Sequence, residues 1–299
     1  MVAGPVEAAT LAGEEDRWTK AAAYHQNLSL RWPALAMPAS RWFDILAGFN
    51  DFDDAKLQAM LAWIEANPHS DLFARQLPIP GLDTKWLEPH LPFVADLVAA
   101  LRGLDRRNLS PHQCCGLKEH PFTVRFRILD PALRRRFGGL GDISAPLDEI
   151  RDIPLPARCV YIVENLQTGL AFEEMPETVV VMALGYGVTA LGGIPWICNA
   201  ECRYWGDLDT HGFAMLNLAR SCLPHVESVL MDKATLLRNR DLWGTENTQY
   251  SAKDLPALTE PEQAIYHGLK QQRWGLNVRL EQERIAWNEA WKILDSEHF

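Results

Sequence analysis

The sequence predicts an α/β protein in which a mostly helical module is followed by a parallel sheet with helices on both faces. Two observations carry this. After residue 156, short β-branched runs alternate with helical stretches, the pattern of a parallel sheet. Before it, helical periodicity dominates, with one alternating strand, and the joint Ile153-Pro154-Leu155-Pro156 separates the two regimes. Three segments follow: a helical N-terminal arm over 1–75, a small module over 76–153 and an α/β domain over 157–299.

The N-terminal arm has a frayed start and helical patterns around Arg41 to Ala66. The prolines and glycine of Leu77-Pro78-Ile79-Pro80-Gly81 interrupt any helix, and Asp83 or Thr84 then caps one running to about Leu101. Phe122 to Leu129 alternates, with Phe122, Val124, Phe126 and Ile128 on one face and Arg125 and Arg127 on the other. Helices plus a short sheet with an arginine face suit a winged-helix module. In the α/β domain the expected strands are Cys159 to Val163, Thr178 to Ala183, Glu201 to Trp205 and Val226 to Met231. Helices are expected over Asn165 to Glu174, after Gly185-Tyr186-Gly187, and over Phe213 to Cys222.

The 23 residues Thr178 to Ala200 carry no charge, yet Gly185, Gly187, Gly192, Gly193 and Pro195 make them a strand, a turn and a short buried helix rather than a membrane span. Residues Met1 to Asp16 hold acids and no apolar core, unlike a secretory signal. The six cysteines show no framework spacing, so reduced thiols and a cytoplasmic location are expected. Adjacent Cys114 and Cys115, flanked by His112 and His120, do not suit the spacing of structural zinc. The net charge of −10 hides a stretch, Ala100 to Phe137, with nine basic residues against three acids. Such a face can bind phosphates while the remaining surface stays acidic, or it is simply a solvated loop flanked by arginines.

Gly206-Asp207-Leu208-Asp209-Thr210-His211-Gly212 follows the third strand. Two carboxylates at i and i+2 point to one side and repel, so a cation belongs beside them or one is protonated. Ligands of parallel sheets bind beyond the carboxyl ends of the strands, where Glu164, the Gly185 turn, Asp207 and Asp209 all fall. His211 could position a water or a phosphate, or merely neighbour the helix cap. Asp232 ends the fourth strand. Glu281 and Glu283, in a late helical segment, could reach the site, although Glu281 and Arg284 also read as an i,i+3 surface pair. A rival reading takes Gly185-Tyr186-Gly187-Val188-Thr189-Ala190 as a dinucleotide fingerprint, with Asp207 on the ribose of a nicotinamide cofactor. That fingerprint normally opens its fold, and a ribose needs one acid, not two. A catalytically inert DNA-binding subunit is the third reading.

A strand ending in Glu164, a glycine turn after the next strand and Asp207-x-Asp209 after a third resemble a Toprim domain, the metal-binding module of topoisomerases, primases and related nucleases. Preceded by a winged helix, the arrangement resembles the A subunit of topoisomerase VI. It is most similar to the nuclease subunit of Wadjet plasmid-defence systems (JetD-type), on Gln76 to Trp86, Val124 to Asp130, Tyr204 to Gly212 and Leu280 to Ile285. The resemblance implies that Glu164, Asp207 and Asp209 bind Mg²⁺ or Mn²⁺ and, with His211, form the catalytic set of a DNA endonuclease. It further implies a homodimer acting on double-stranded DNA beside an SMC-like ATPase complex, with no membrane involved. Lys85, Arg125, Arg127, Arg134, Arg135 and Arg136 are the expected DNA-binding residues. The six tyrosines include none between 25 and 160, so a winged-helix tyrosine cannot be the nucleophile and a metal-activated water is expected.

Overall fold

The computed structural model describes residues 4–296. The chain divides into a helical unit that runs to His120 and an α/β unit that starts at Pro121.

The helical unit is built on helices Glu15–Arg31, Asp51–Ala66 and Thr84–Arg102. Their apolar stripes meet in one core that includes Leu28, Leu57, Leu61, Phe93 and Leu97. Asn50 starts the second helix by accepting from the N–H groups of Phe52 and Asp53, and Asp83 starts the third by accepting from Trp86. Gly103, in the left-handed region, ends it. The start expected to be frayed is helical over Pro5–Ala12, with Pro5 in the first turn, where its missing N–H costs nothing; Met1 to Ala3 lie outside the described residues. Cys114 and Cys115 are buried thiols in the short helix Pro111–Cys115, and burial pushes the Cys115 thiol up to about 12.

The α/β unit holds β1 (Thr123–Ile128), β2 (Asp142–Pro146), β3 (Cys159–Val163), β4 (Thr178–Met182), β5 (Glu201–Trp205) and β6 (Glu227–Ser228) in one sheet of order β2-β1-β4-β3-β5-β6. Strands β4, β3, β5 and β6 run parallel, whereas β1 lies antiparallel to both β2 and β4. Every residue of β3 and β4 is buried, as continuous β-branched runs require when both faces are covered. A separate ribbon pairs β7 (Gly244–Thr245) with β8 (Val278–Arg279).

The main departure from expectation concerns 76–153. Alternation correctly marks 123–128 as a strand, but its apolar face of Val124, Phe126 and Ile128 completes the core of the large sheet. Helix Thr84–Arg102 lies in the helical unit and β1 and β2 in the α/β unit, so the boundary between the units falls inside 76–153. Period-two patterning identifies a strand's two faces and is silent about its neighbour. Smaller differences are local. The expected fourth strand shortens to Glu227–Ser228, and the expected helix after Gly185 is a run of 3₁₀ turns, Gly185–Gly193. As the sequence indicates, 178–200 resolves into a strand, a turn segment and the short helix Pro195–Cys198, and no described helix is long and apolar enough to cross a membrane.

Candidate metal centre

After β3 the chain turns toward β4, and after β5 toward β6, on the opposite side. The sheet therefore has its switch point between the carboxyl ends of β3 and β5. Glu164 leaves the first of these ends and Asp207 the second.

Three local devices hold the acids together. Gly206 is the first: a Cβ there would meet the Tyr204 ring at 2.8 Å and the Glu164 carboxylate at 2.9 Å, so only glycine lets Glu164 close over the loop. The second is a helix cap. Asp209 accepts from the Gly212 N–H at 2.7 Å and starts helix Thr210–Cys222, and at Gly212 a side chain would run into the Asp207 carbonyl. The third is a clasp between Leu208 and Leu280, whose backbones exchange hydrogen bonds of 2.9 and 3.1 Å. Both leucines are buried, so strand alternation turns their flanking residues, Asp207 and Asp209 on one chain segment and Arg279 and Glu281 on the other, to the opposite side.

There the charges meet. Asp207 (7% exposed) accepts from Arg279 at 2.7 Å through Oδ2 and from the Gln282 N–H at 2.9 Å through Oδ1. Asp209 (4% exposed) sits 3.1 Å from the same guanidinium, and Glu281 sits 3.3 Å from it. Glu164 accepts from the Asp207 N–H at 3.4 Å and is hydrogen-bonded by the Tyr204 hydroxyl. Burial, followed by the nearby Asp207 and Asp209, pushes Glu164 up to about 7. Asp209 is raised to about 6 by burial, with Glu246 and Asp207 adding to it and the Gly212 N–H and Arg279 opposing. Glu164, Asn165, Asp207, Arg279, Glu281 and Glu283 line a cavity of about 190 Å³. Asn165, which caps the helix after β3, donates to Glu283 at 2.9 Å.

His211 stands at the rim. Its Nε2 lies 3.0 Å from the Thr248 carbonyl, which can only accept, so in the neutral ring Nε2 carries the hydrogen. The Nδ1 lone pair then accepts from the Tyr186 hydroxyl at 3.1 Å. Burial, then Tyr250, Glu164 and Asp209, raise the Tyr186 pKa and keep it a phenol.

The structure thus gathers Glu164, Asp207 and Asp209, with His211 beside them. Glu164 and Asp207 line the recess and Asp209 faces the same guanidinium as Asp207, and carboxylates so placed offer hard oxygen donors of the kind Mg²⁺ and Mn²⁺ take. With the side chains as they stand, no group of three or more His, Cys, Asp or Glu among the described residues is in coordinating arrangement; the position between the aspartates belongs to the Arg279 guanidinium. Sequence reasoning missed that arginine. The repulsion argument had asked for a cation, and one lay in the segment just before Leu280-Glu281-Gln282. Glu246 was missed as well: 4% exposed, it takes the Thr210 hydroxyl at 2.6 Å, while its Oε2 has no partner. Asp232 is a helix cap, accepting from the Thr235 N–H and hydroxyl. Glu281 forms its i,i+3 pair with Arg284 at 2.7 Å, but from an extended residue before a 3₁₀ turn, and it also faces the cavity.

The expected DNA-binding residues separate into two groups. Arg125 forks onto Asp142 across β1 and β2 at 2.7 and 2.9 Å. Arg127 donates to the carbonyls of Gly169, Leu170 and Phe172, and Arg134 to those of Ile128 and Leu129 and to Glu174. These three hold the fold together. Lys85, Arg135 and Arg136 are exposed. Arg127→Gln is expected to lower stability by about 2 kcal/mol, because it strands buried carbonyls, and to leave the affinity for duplex DNA unchanged; urea unfolding and a fluorescence-anisotropy titration check the pair of outcomes.

Fold and site together define an α/β protein with a mostly parallel sheet and an acidic recess at its switch point, carried behind a helical N-terminal unit. The profile of the family described as Wadjet protein JetD, C-terminal, matches residues 116–294, and that of an uncharacterized protein conserved in bacteria, N-terminal part, matches residues 1–99. The chain belongs to the Wadjet JetD family. No curated protein matches it.

Proposed function

We propose that this protein is the nuclease subunit of a plasmid-defence system, a Mg²⁺- or Mn²⁺-dependent endonuclease that hydrolyses DNA phosphodiesters alongside an SMC-like ATPase complex in the cytoplasm. The observation that carries the reading is the convergence of Glu164, Asp207 and Asp209 at the switch point of the sheet. Family membership supports the defence role, and the likeness of these acids to a Toprim metal site supports the chemistry.

Asp207, Asp209 and Glu164 would hold the ion. When bound, it would supply charge to stabilise an anionic phosphodiester and lower the pKa of an attacking water. The protein's own groups would do the rest. Glu164, pushed up to about 7 by burial and by Asp207 and Asp209, would have to give up its proton to hold the ion. His211, locked in one tautomer by Thr248, holds the Tyr186 hydroxyl at the mouth of the recess. The chain has no tyrosine between residues 25 and 160, where a winged-helix nucleophile would stand, which favours hydrolysis over a covalent protein–DNA intermediate. Lys85, Arg135 and Arg136 would contact the phosphate backbone. The dinucleotide reading loses ground because 3₁₀ turns follow Gly185, where a pyrophosphate needs the N-terminus of an α-helix.

The test is cleavage of supercoiled plasmid by the protein together with its ATPase subunits. Nicked or linear product should require Mg²⁺ or Mn²⁺ and vanish with EDTA, and the denatured protein should carry no DNA. Product formed in EDTA, or DNA covalently attached to the chain, would overturn the mechanism. A further expectation concerns affinity. Replacing Arg135 and Arg136 together by alanine should weaken duplex binding and reduce the slope of log K against log salt by about 2, since each phosphate contact contributes about 0.9; anisotropy at several salt concentrations measures it.

A further inference from the structure

We propose that Arg279 is an exchangeable occupant of the metal site: its guanidinium fills the cation position in the resting protein and must leave before a divalent ion can bind. This rests on the metal-dependent reading above.

The geometry points to it in three ways. First, one guanidinium serves both aspartates, at 2.7 Å from Asp207 and 3.1 Å from Asp209, and also reaches Glu281 at 3.3 Å. A divalent ion shared by the same aspartates would have to approach the same oxygens. Second, those oxygens have few other partners. Asp207 Oδ1 takes the Gln282 N–H and Asp209 Oδ1 the Gly212 N–H, which leaves both Oδ2 atoms facing Arg279. Third, the side chain has somewhere to go. It is 37% exposed and lines the recess on the side where Glu281 and Glu283 stand, so it can swing outward while β8 stays in place.

Exchange has a defined consequence. Carboxylates about 4 Å apart repel by roughly 4 kcal/mol at an effective dielectric near 20, so the recess needs a positive charge whether or not metal is present. Arg279 provides it at rest, and the ion competes against it. The resting protein is stable without metal and binds metal weakly, while the displaced guanidinium, planar and always charged, stands at the mouth where a phosphate enters.

The experiment is Mn²⁺ binding to the full chain without DNA, followed by electron paramagnetic resonance of the free ion, for wild type, Arg279→Ala and Arg279→Gln. Both variants should bind Mn²⁺ at least about tenfold more tightly than wild type. Their melting temperatures should be lower without metal and rise more on adding it. Guanidinium ion at millimolar concentration should compete with Mn²⁺ in Arg279→Ala, where it can re-enter the vacated position, and not in wild type. Arg279→Gln keeps a hydrogen-bond donor and replaces the alanine variant should that one fail to fold. Equal Mn²⁺ affinity in wild type and variants, or weaker binding in the variants, overturns the exchange and leaves the metal site standing. Absence of Mn²⁺ binding in all three overturns the metal reading and the exchange with it.

Discussion

Asp207→Asn is expected to reduce plasmid cleavage by about three orders of magnitude, the loss of several kcal/mol of charge stabilisation at the phosphodiester. The substitution is chosen for what it keeps. The asparagine carbonyl can still accept from the Gln282 N–H, so the loop after β5 retains its tie to the C-terminal segment. What disappears is the negative charge facing Arg279 and the ion it stands in for. An amide presented to a guanidinium also sets donor against donor, which loosens the recess. The fold should survive, because the leucine clasp and the Asp209 cap are untouched. Initial rates of nicking, with thermal melting of the same preparations, separate chemistry from stability. A variant that cleaves within tenfold of wild type and melts normally would remove Asp207 from the reaction.

Arg220→Ala should destabilise the α/β unit by about 3–5 kcal/mol, the usual cost of breaking a buried pair from one side. Arg220 lies on the helix that Asp209 starts, and its guanidinium reaches Glu262 at 2.6 and 2.9 Å, with both side chains about one-tenth exposed or less. It also donates to the carbonyls of Val226 and Ala257. Without it, Glu262 keeps only Ser228 and the Thr259 N–H. The pair carries a pH signature. Burial pushes Glu262 up, but hydrogen bonds from Arg220, Ser228 and Thr259 outweigh it and hold the carboxyl at about 2, down from 4.5. Since the folded pKa lies below the unfolded one, the stabilisation is complete above 4.5 and fades as pH falls through about 2. It amounts to about 3 kcal/mol. Urea midpoints between pH 5 and 2 should fall less steeply for Arg220→Ala than for wild type, and parallel curves would contradict the assignment.

Much of this was readable from the chain. Continuous β-branched runs located β3 and β4, and the Gly206 to Gly212 stretch announced its loop because close approach and a helix cap leave few residue choices. Repulsion between Asp207 and Asp209 required a cation nearby. Spacing could not say that the cation would be an arginine 72 residues on, because pairing between Leu208 and Leu280 is a tertiary event with no local signal. The same limit explains β1. Its alternation was plain, but its partner β4 lies beyond a hairpin and an entire strand–helix unit. Within the basic stretch from Ala100 to Phe137, Arg125, Arg127 and Arg134 satisfy neighbouring carbonyls and acids. A count of charges does not distinguish a guanidinium that staples backbone from one that waits in solvent.

The distance in sequence between Asp207 and its arginine has a bearing on how the molecule is made. Synthesis proceeds at about 5–20 residues per second, so Arg279 leaves the ribosome several seconds after the aspartates it serves. Until then the sheet's rim carries mutually repelling acids with no counter-charge, and the Leu208 clasp has nothing to close on. The recess is thus completed only once the segment that carries Arg279 has been made, and a chain that stops short of it lacks the guanidinium that both aspartates face.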